Sequence, residues 1–177
     1  MLKRLIFAGI VAAPLAVMAV TVPGQASASI AQPITLVQNT PIQFGTIFDT
    51  TGAGGNVVLD ADDAVTPDAA SGLRNGGVAT TGSFDITSAP NSHYTVAFDH
   101  TNFNLTRVGG AETMGVNIGW LRFSNDLANL YDTNAALVGQ SDGAGLANFR
   151  TYTTLTVGAA QVPGNYTGNY NVTVLYQ

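Results

Sequence analysis

The sequence of 177 residues contains no cysteine and few charged residues. Without cysteine the chain cannot form disulfides, metal–thiolate sites or thiol redox centres, so packing and backbone hydrogen bonds must hold its fold. Charged residues make up 10% of the chain, and the formal net charge is −5. After the first few residues the only basic side chains are Arg74, Arg107, Arg122 and Arg150, which are scattered singly. A protein that tracks phosphates needs a clustered basic surface, so the sequence disfavours nucleic-acid binding.

The first 28 residues have the features of a signal peptide. Lys3 and Arg4 provide a basic start, residues 5–20 are mostly apolar, and Ala26-Ser27-Ala28 offers the small residues of a cleavage site. The apolar run is shorter than the roughly 20 residues that span a bilayer, which disfavours a membrane anchor. We therefore expect an exported chain that begins near Ser29 and has no membrane span after signal removal.

Apolar and polar residues alternate with period 2 through much of the remaining chain. Side chains alternate between the two faces of a strand, so this pattern predicts half-buried strands. Similar short runs upstream end in Gly, Pro or Asn turn residues. This spacing predicts one all-β domain over residues 29–177, an antiparallel sandwich or barrel of about seven to nine strands. In the C-terminal run one parity holds Tyr166, Gly168, Tyr170, Val172, Val174 and Tyr176, and only Leu175 is out of phase.

Residues 124–148 form the longest stretch without clean alternation. Its first part, from Ser124 to Tyr131, has a capping residue followed by apolar residues three apart, which allows at most one short helix. We expect the segment as a loop or insertion, and such loops often carry binding specificity. A surface loop that binds no partner is an equally good interpretation of this segment.

The sequence Gly139-Gln140-Ser141-Asp142-Gly143 matches the nucleophile elbow of hydrolases. That motif requires a strand-to-helix turn and a histidine downstream. Both histidines, His93 and His100, lie upstream, and no helical pattern follows the motif. No acid–base pair or other catalytic constellation is evident elsewhere. We therefore predict no catalytic residues, no cofactor and a non-enzymatic role.

An acidic cluster of Asp60, Asp62, Asp63 and Asp68 is a weak candidate for a calcium site. Carboxylates are the hard oxygen ligands that calcium prefers, but the segment lacks the central Gly and the terminal Glu of an EF-hand loop. A solvated acidic turn is the favoured interpretation, and no other metal site is predicted.

Trp120 is the only tryptophan of the chain. It shares one parity with Met114, Val116 and Ile118 in an alternating run, so we expect its ring in the core. Together with the tyrosines it is also the best candidate for a platform on which a sugar ring stacks.

Several short elements, taken in order, resemble a known family. They are Pro33-Ile34-Thr35-Leu36, Ile42-Gln43-Phe44-Gly45-Thr46-Ile47, Gly82-Ser83-Phe84-Asp85-Ile86-Thr87 with Tyr94-Thr95-Val96, and the pattern P-G-x-Y-x-G-x-φ-x-V-x-V over residues 163–174. They resemble the bacterial domain-of-unknown-function family DUF4402, and more loosely the spore coat protein U and archaic chaperone-usher pilin group. The resemblance covers most of residues 30–177.

This resemblance implies an immunoglobulin-like sandwich that is secreted by a Gram-negative cell and assembled into fimbriae. The implied partners are other copies or other subunits, with a periplasmic chaperone and an outer-membrane usher. The implied route runs through the periplasm to the cell surface, a fimbria or the medium. The resemblance brings no catalytic residues.

The mature N-terminus suggests assembly by addition of a β-strand to the sheet edge of a neighbour. Ile30, Ile34 and Leu36 share one parity, so residues 29–39 could lie as a donor strand in a neighbour's groove. An alternative that is at least as good is that residues 32–37 form the first strand of the chain's own sandwich. Deletion of residues 29–38 separates the two, because loss of multimers with a folded monomer supports donation. Further assembly candidates are Tyr170, Val172, Val174 and Tyr176.

The main functional hypothesis is therefore a structural subunit of a surface appendage. The alternative is a stand-alone extracellular adhesion or carbohydrate-binding module that uses Trp120, the tyrosines or residues 124–148.

Overall fold

The computed structural model describes residues 21–28, residue 30 and residues 32–177. Most of the predicted signal peptide, residues 1–20, lies outside the described residues, and residues 21–28 have no regular secondary structure. A single compact unit spans Ala31–Gln177 and holds every strand described. Within the described part of the chain, no helix is long and apolar enough to cross a membrane.

The described residues form strands and turns without any helix, and every strand pair is antiparallel. This confirms the predicted all-β antiparallel sandwich. The count exceeds the expected seven to nine because several strands are only two to four residues long. The strands are β1 (Thr35–Thr40), β2 (Thr46–Asp49), β3 (Gly55–Leu59), β4 (Val65–Pro67), β5 (Leu73–Gly76), β6 (Ser83–Thr87), β7 (His93–Phe98), β8 (Asn102–Arg107), β9 (Thr113–Phe123), β10 (Tyr131–Asp132), β11 (Leu137–Gln140), β12 (Leu146–Val157), β13 (Tyr166–Thr167) and β14 (Val172–Tyr176).

Nine of these strands form one large sheet with the order β1-β6-β12-β9-β8-β13. In the same sheet β10 pairs with β9, and β3 pairs with the second half of β12 and with β4. A three-stranded sheet has the order β11-β7-β14, and β2 pairs with β5 as a separate ribbon. The edge strands β1 and β14 therefore belong to different sheets.

The twelve-residue strand β12 is the centre of the fold. Its odd residues from Phe149 to Val157 are buried, whereas the even residues between them are half-buried or exposed, as a strand with one face in the core requires. Phe149 belongs to a core cluster with Phe84 and Phe123, and Leu155 belongs to a second cluster. Both clusters therefore rest on one strand.

The C-terminal alternating run does not form one continuous strand. Tyr166–Thr167 pairs with β8 of the large sheet, whereas Val172–Tyr176 pairs with β7 of the three-stranded sheet. The parity is nevertheless as predicted, since Val174 is buried and Leu175 is 60% exposed. The run passes from one layer to the other while the same parity keeps facing the interior.

Residues 124–148 are not an open loop. They contain β10, β11 and the start of β12, and Leu137 of β11 is buried in the first core cluster. The short helix expected between Ser124 and Tyr131 is absent, because the described residues there form turns. Strand β11 completes one edge of the three-stranded sheet by pairing with β7.

Candidate assembly groove

An apolar groove lies between β6 and β14, and β1 of the same chain fills it. Strand β1 pairs with β6 on one side and approaches β14 on the other, without a β-ladder between β1 and β14 in the described chain. We call this space the edge groove. The residues that border it on β6 and along residues 170–174 belong to the first core cluster or pack against it, and they are Phe84, Ile86, Tyr170, Val172 and Val174.

Two side chains from the N-terminal segment pack into the edge groove. Ile34 and Leu36 are half-buried against the first core cluster, as their shared parity predicts. Ile30 is 100% exposed. Of the three proposed donor residues, the structure therefore packs two against the chain's own core.

The hydroxyl of Tyr176 fixes the entry of the N-terminal segment. Tyr176 Oη donates a hydrogen bond to the carbonyl oxygen of Gln32 at 2.6 Å and accepts one from the backbone N–H of Ala89 at 2.8 Å. One side chain of the last strand thus joins the segment before β1 to the turn after β6.

The open edge of β14 faces the groove. The backbone N–H of Asp99 donates to the carbonyl of Asn171, and the N–H of Gln177 donates to the carbonyl of His93, each at 3.1 Å. Residues of an antiparallel strand alternate in the direction of their backbone groups, so the odd residues of β14 bond to β7. The N–H and C=O groups of the even residues, such as Val174, therefore point away from β7, toward β1.

The carboxylate of Asp99 anchors the start of β14. It accepts the backbone N–H of Asn171 at 2.9 Å and the side-chain amide of Asn171 at 2.7 Å. The backbone bond from Asn171 is the largest cause that holds the pKa of Asp99 below its ordinary value, and partial desolvation opposes it. The side-chain amide of Asn171 and the neighbouring His100 add to the lowering.

Tyr170 packs against the first core cluster, among other aromatic rings. Its ring stacks on Phe103 at a centroid distance of 5.3 Å and meets Phe84 edge-on at 6.3 Å. Among the described residues its buried hydroxyl has no hydrogen-bond partner, and burial raises the pKa of Tyr170 to about 12. The phenol therefore stays neutral and acts as part of the apolar lining.

The acidic cluster is not assembled as a cation site. Asp62 pairs with Arg122, and Asp63 pairs with Arg150 at 2.6 Å. Asp60 accepts backbone N–H groups of its own turn, and Asp68 accepts the N–H of Ala70. No group of three or more potential ligand side chains occurs in the part of the chain that is described. Asp62 and Asp63 instead fasten the β3–β4 turn to the outer face of the large sheet.

Arg122 and Arg150 explain why two aspartates are needed there. The two arginines lie directly opposite each other on β9 and β12, where like charges repel. Asp62 and Asp63 each neutralise one of them. The side-chain hydrogen bond from Arg122 is the largest cause that lowers the pKa of Asp62 from its ordinary value near 3.8.

The ion pair of Asp62 and Arg122 predicts that the stability of the fold depends on pH in the acid range. A carboxylate whose pKa is lower in the folded state stabilises the fold fully above its unfolded pKa. That contribution is lost as the pH falls through the lower folded pKa, here below about pH 4. Asp62→Asn should therefore lower the melting temperature slightly at pH 7 and reduce the further loss on acidification. Thermal melts from pH 7 to pH 2 measure both effects. Asp68→Asn is the control, because no ion pair of Asp68 with an arginine occurs among the described residues. A loss on acidification in Asp62→Asn that equals that of the wild type would contradict the assignment.

Ser141 of the elbow-like motif has a structural position. Its buried Oγ donates to the carbonyl of Ala89 at 2.8 Å and accepts the N–H of Ser92 at 3.0 Å. The preceding Gly139 lies opposite Tyr94, and a Cβ there would stand 2.5 Å from the tyrosine ring. The glycine therefore makes room for a core ring, and the serine ties the β6–β7 turn to β11.

Trp120 is 43% exposed, so the prediction that it lies in the core is wrong. In the β9–β12 pairing Trp120 lies opposite Tyr152, and Ile118 lies opposite Thr153. Gly119 is thus an extra residue in β9, a β-bulge that reverses the parity of the rest of the strand. Leu121 takes the buried position instead. The glycine directly before the tryptophan is the only signal in the sequence that could have indicated this.

A family model for "Domain of unknown function (DUF4402)" matches residues 34–176. The match extends from just before β1 to the last residue of β14, so it includes the edge groove. No curated protein matches the chain.

Proposed function

We propose that this chain, which belongs to the DUF4402 family, is a structural subunit of a bacterial surface appendage and assembles by strand donation. The observation that carries the proposal is the edge groove, where Ile34 and Leu36 of the N-terminal segment pack against the first core cluster. In the proposed assembly, residues 30–40 of one subunit occupy the edge groove of the next.

Donation of β1 to a neighbour would preserve the contacts seen within one chain. The ladder with β6 and the packing of Ile34 and Leu36 would form equally well when the strand comes from another copy. Exchange of an identical element is a low-cost route to association, and an open head-to-tail exchange produces a fibre. Each subunit then donates one strand and accepts one.

The connection after β1 limits the exchanged segment. Pro41 follows the last residue of β1, and Gln43 is then fixed to Thr80 by two backbone hydrogen bonds of 2.7 and 2.9 Å. Phe44 is buried in the second core cluster. Only the chain before Pro41 can therefore be exchanged without breaking the contacts of Gln43 and Phe44.

The proposed route of assembly follows from the predicted signal peptide. A subunit in the periplasm would have its groove exposed whenever β1 is not in place, and an exposed sheet edge pairs readily with other chains. We include in the proposal a periplasmic chaperone that covers the groove and an outer-membrane usher that orders the exchange.

Paired cysteines test strand donation directly, because the natural chain has no cysteine. Thr35 on β1 lies directly opposite Thr87 on β6, and neither is fully buried. Opposed residues of antiparallel strands lie about 4.5–5.5 Å apart at Cα, within the range of a disulfide. In an assembled sample of the double variant Thr35→Cys/Thr87→Cys, we expect a ladder of covalent multimers on non-reducing gels that collapses to monomer on reduction.

The matched control is Thr95→Cys/Leu175→Cys, which joins opposed residues of β7 and β14. This disulfide stays within one chain whether or not β1 is exchanged, so it should give monomer only. If the Thr35→Cys/Thr87→Cys protein also forms only intramolecular disulfides in assembled samples, β1 remains in its own chain and the proposal fails.

A further inference from the structure

The outer face of the large sheet carries an aromatic side chain that a β-bulge turns outward. Gly119 is the extra residue, and Trp120 next to it presents its ring on the side of the sheet opposite the core. β-bulges often re-aim a side chain at a functional site. The exposure of Trp120 thus results from a specific backbone feature in the middle of a long strand.

The bulge is held in place by a buried threonine. Thr133 is 9% exposed, its Oγ1 donates to the carbonyls of Ile118 and Gly119, and its backbone N–H donates to the carbonyl of Gly119 at 3.1 Å. Both carbonyl groups at the bulge therefore have hydrogen-bond partners. The position of Trp120 is part of the ordered fold.

Trp120 lies in a row that crosses three strands. Asp132 of β10 is opposite it on one side, and Tyr152 of β12 is opposite it on the other. With about 4.8 Å between neighbouring strands, the row is about 10 Å wide. The next row on the same face contains Asn117 and Thr154, which are also paired with each other. An exposed aromatic ring is thus bordered by a carboxylate, an amide and a hydroxyl.

The charges around this row disfavour an anionic ligand. Arg122 and Arg150 on the same face are already paired with Asp62 and Asp63, and Asp132 adds a negative charge beside the indole. An anionic ligand would meet this carboxylate and an acidic chain of net charge −5. A protein partner would need an apolar area larger than one aromatic pair within a polar border.

From these features we infer that the row Asp132–Trp120–Tyr152, with Asn117 and Thr154, is a binding platform for neutral oligosaccharides. The flat indole presents an apolar surface to the C–H face of a sugar ring, while the polar side chains exchange hydrogen bonds with its hydroxyls. The platform shares no residue with the edge groove. Binding is therefore independent of strand donation, and a subunit that does not assemble would still bind.

The single tryptophan provides a direct measurement, since all indole fluorescence of the protein comes from Trp120. The probes are cellohexaose, xylohexaose, maltohexaose and chitohexaose, each titrated into the full exported chain. We expect at least one of them to change the emission in a saturable way and to protect Trp120 from quenching by acrylamide. Failure of all four up to about 10 mM would overturn the inference, because it would leave only an interaction weaker than about −3 kcal/mol.

Variants then locate the binding by calorimetry with the active probe. Trp120→Ala should weaken it by at least about tenfold, and Tyr152→Ala should weaken it severalfold. Leu175→Ala is the matched control, since it removes an exposed apolar side chain from the outer face of the other sheet and should leave the affinity unchanged. Circular dichroism confirms that each variant is folded. Equal affinity of wild type and both aromatic variants would place the sugar elsewhere and overturn the inference.

Discussion

Phe149→Ala should reduce the free energy of unfolding by about 3–5 kcal/mol, the usual cost of removing a fully buried phenylalanine. Phe149 is completely buried on β12. Its ring stacks on Phe84 at 5.0 Å and meets Phe98 and Phe123 edge-on at 6.5 and 6.3 Å. These rings come from β6, β7 and β9, so one side chain joins the two facing sheets. A cavity at this point would be closed only by moving several strands.

Urea unfolding followed by circular dichroism measures this loss. Phe48→Ala is the matched control, because Phe48 lies on the small β2–β5 ribbon and is 55% exposed. Surface substitutions of this kind usually change stability by about 0.5 kcal/mol or less. Similar losses in the two variants would show that Phe149 does not hold the special position in the core that the packing assigns to it.

The part of this packing that could be predicted from the sequence follows from alternation. Tyr94, Val96 and Val174 lie inside, and Leu175 lies outside, because parity decides the face wherever a strand is regular and one face is buried. The same rule placed Ile34 and Leu36 together against the core. Alternation thus predicts which face of the sheet a residue occupies, but it does not predict which strand pairs with that residue's strand.

Parity fails where the backbone adds a residue. A bulge at Gly119 reverses the face of Trp120, and alternation has no means of counting an unpaired residue. The sequence also does not indicate that the C-terminal run passes from one sheet to the other, because both of its strands keep the same inward parity. These two features concern partners and local geometry, which depend on the rest of the chain.

Short strands and ion pairs between distant residues also could not be predicted from the sequence. Strand β11 has four residues, too few for a clear period, and it is stabilised by its pairing with β7. The pairing of Asp62 with Arg122 joins residues sixty positions apart and depends on the register of β9 with β12. Carboxylates that are clustered in the sequence can thus serve as ion-pair partners of distant arginines instead of forming a cation site.

The sequence could show that the N-terminal segment is apolar on one face, but not which copy's groove it fills. Ile34 and Leu36 would have the same alternation in a donor strand and in the first strand of their own sandwich. In a single chain the structure shows them in their own groove. The question of exchange therefore needs an experiment in which the strand and the groove belong to different molecules.

Removing residues 29–40 should abolish the cooperative unfolding transition of the chain, and a synthetic peptide of residues 29–40 should restore it. Without β1, the edge of β6 loses its ladder, and Phe84, Ile86 and Val174 lose their cover from Ile34 and Leu36. An extended peptide can replace both the backbone bonds and the two side chains, because the groove is complete apart from this strand.

The gain in stability should rise with peptide concentration, reaching about 2.7 kcal/mol at a hundredfold excess over the dissociation constant. The control peptide carries Ile34→Asn and Leu36→Asn, which keeps the backbone bonds and removes the apolar packing, so it should not restore folding. Thermal melts of the shortened chain with each peptide distinguish the outcomes. Because β1 also completes the chain's own sandwich, deletion alone does not separate donation from self-complementation, and the peptide is needed for that. A shortened chain that unfolds cooperatively without peptide would show that the groove does not need a strand. If the natural peptide has no effect at millimolar concentration, the groove accepts the strand only from its own chain, and assembly by donation is excluded.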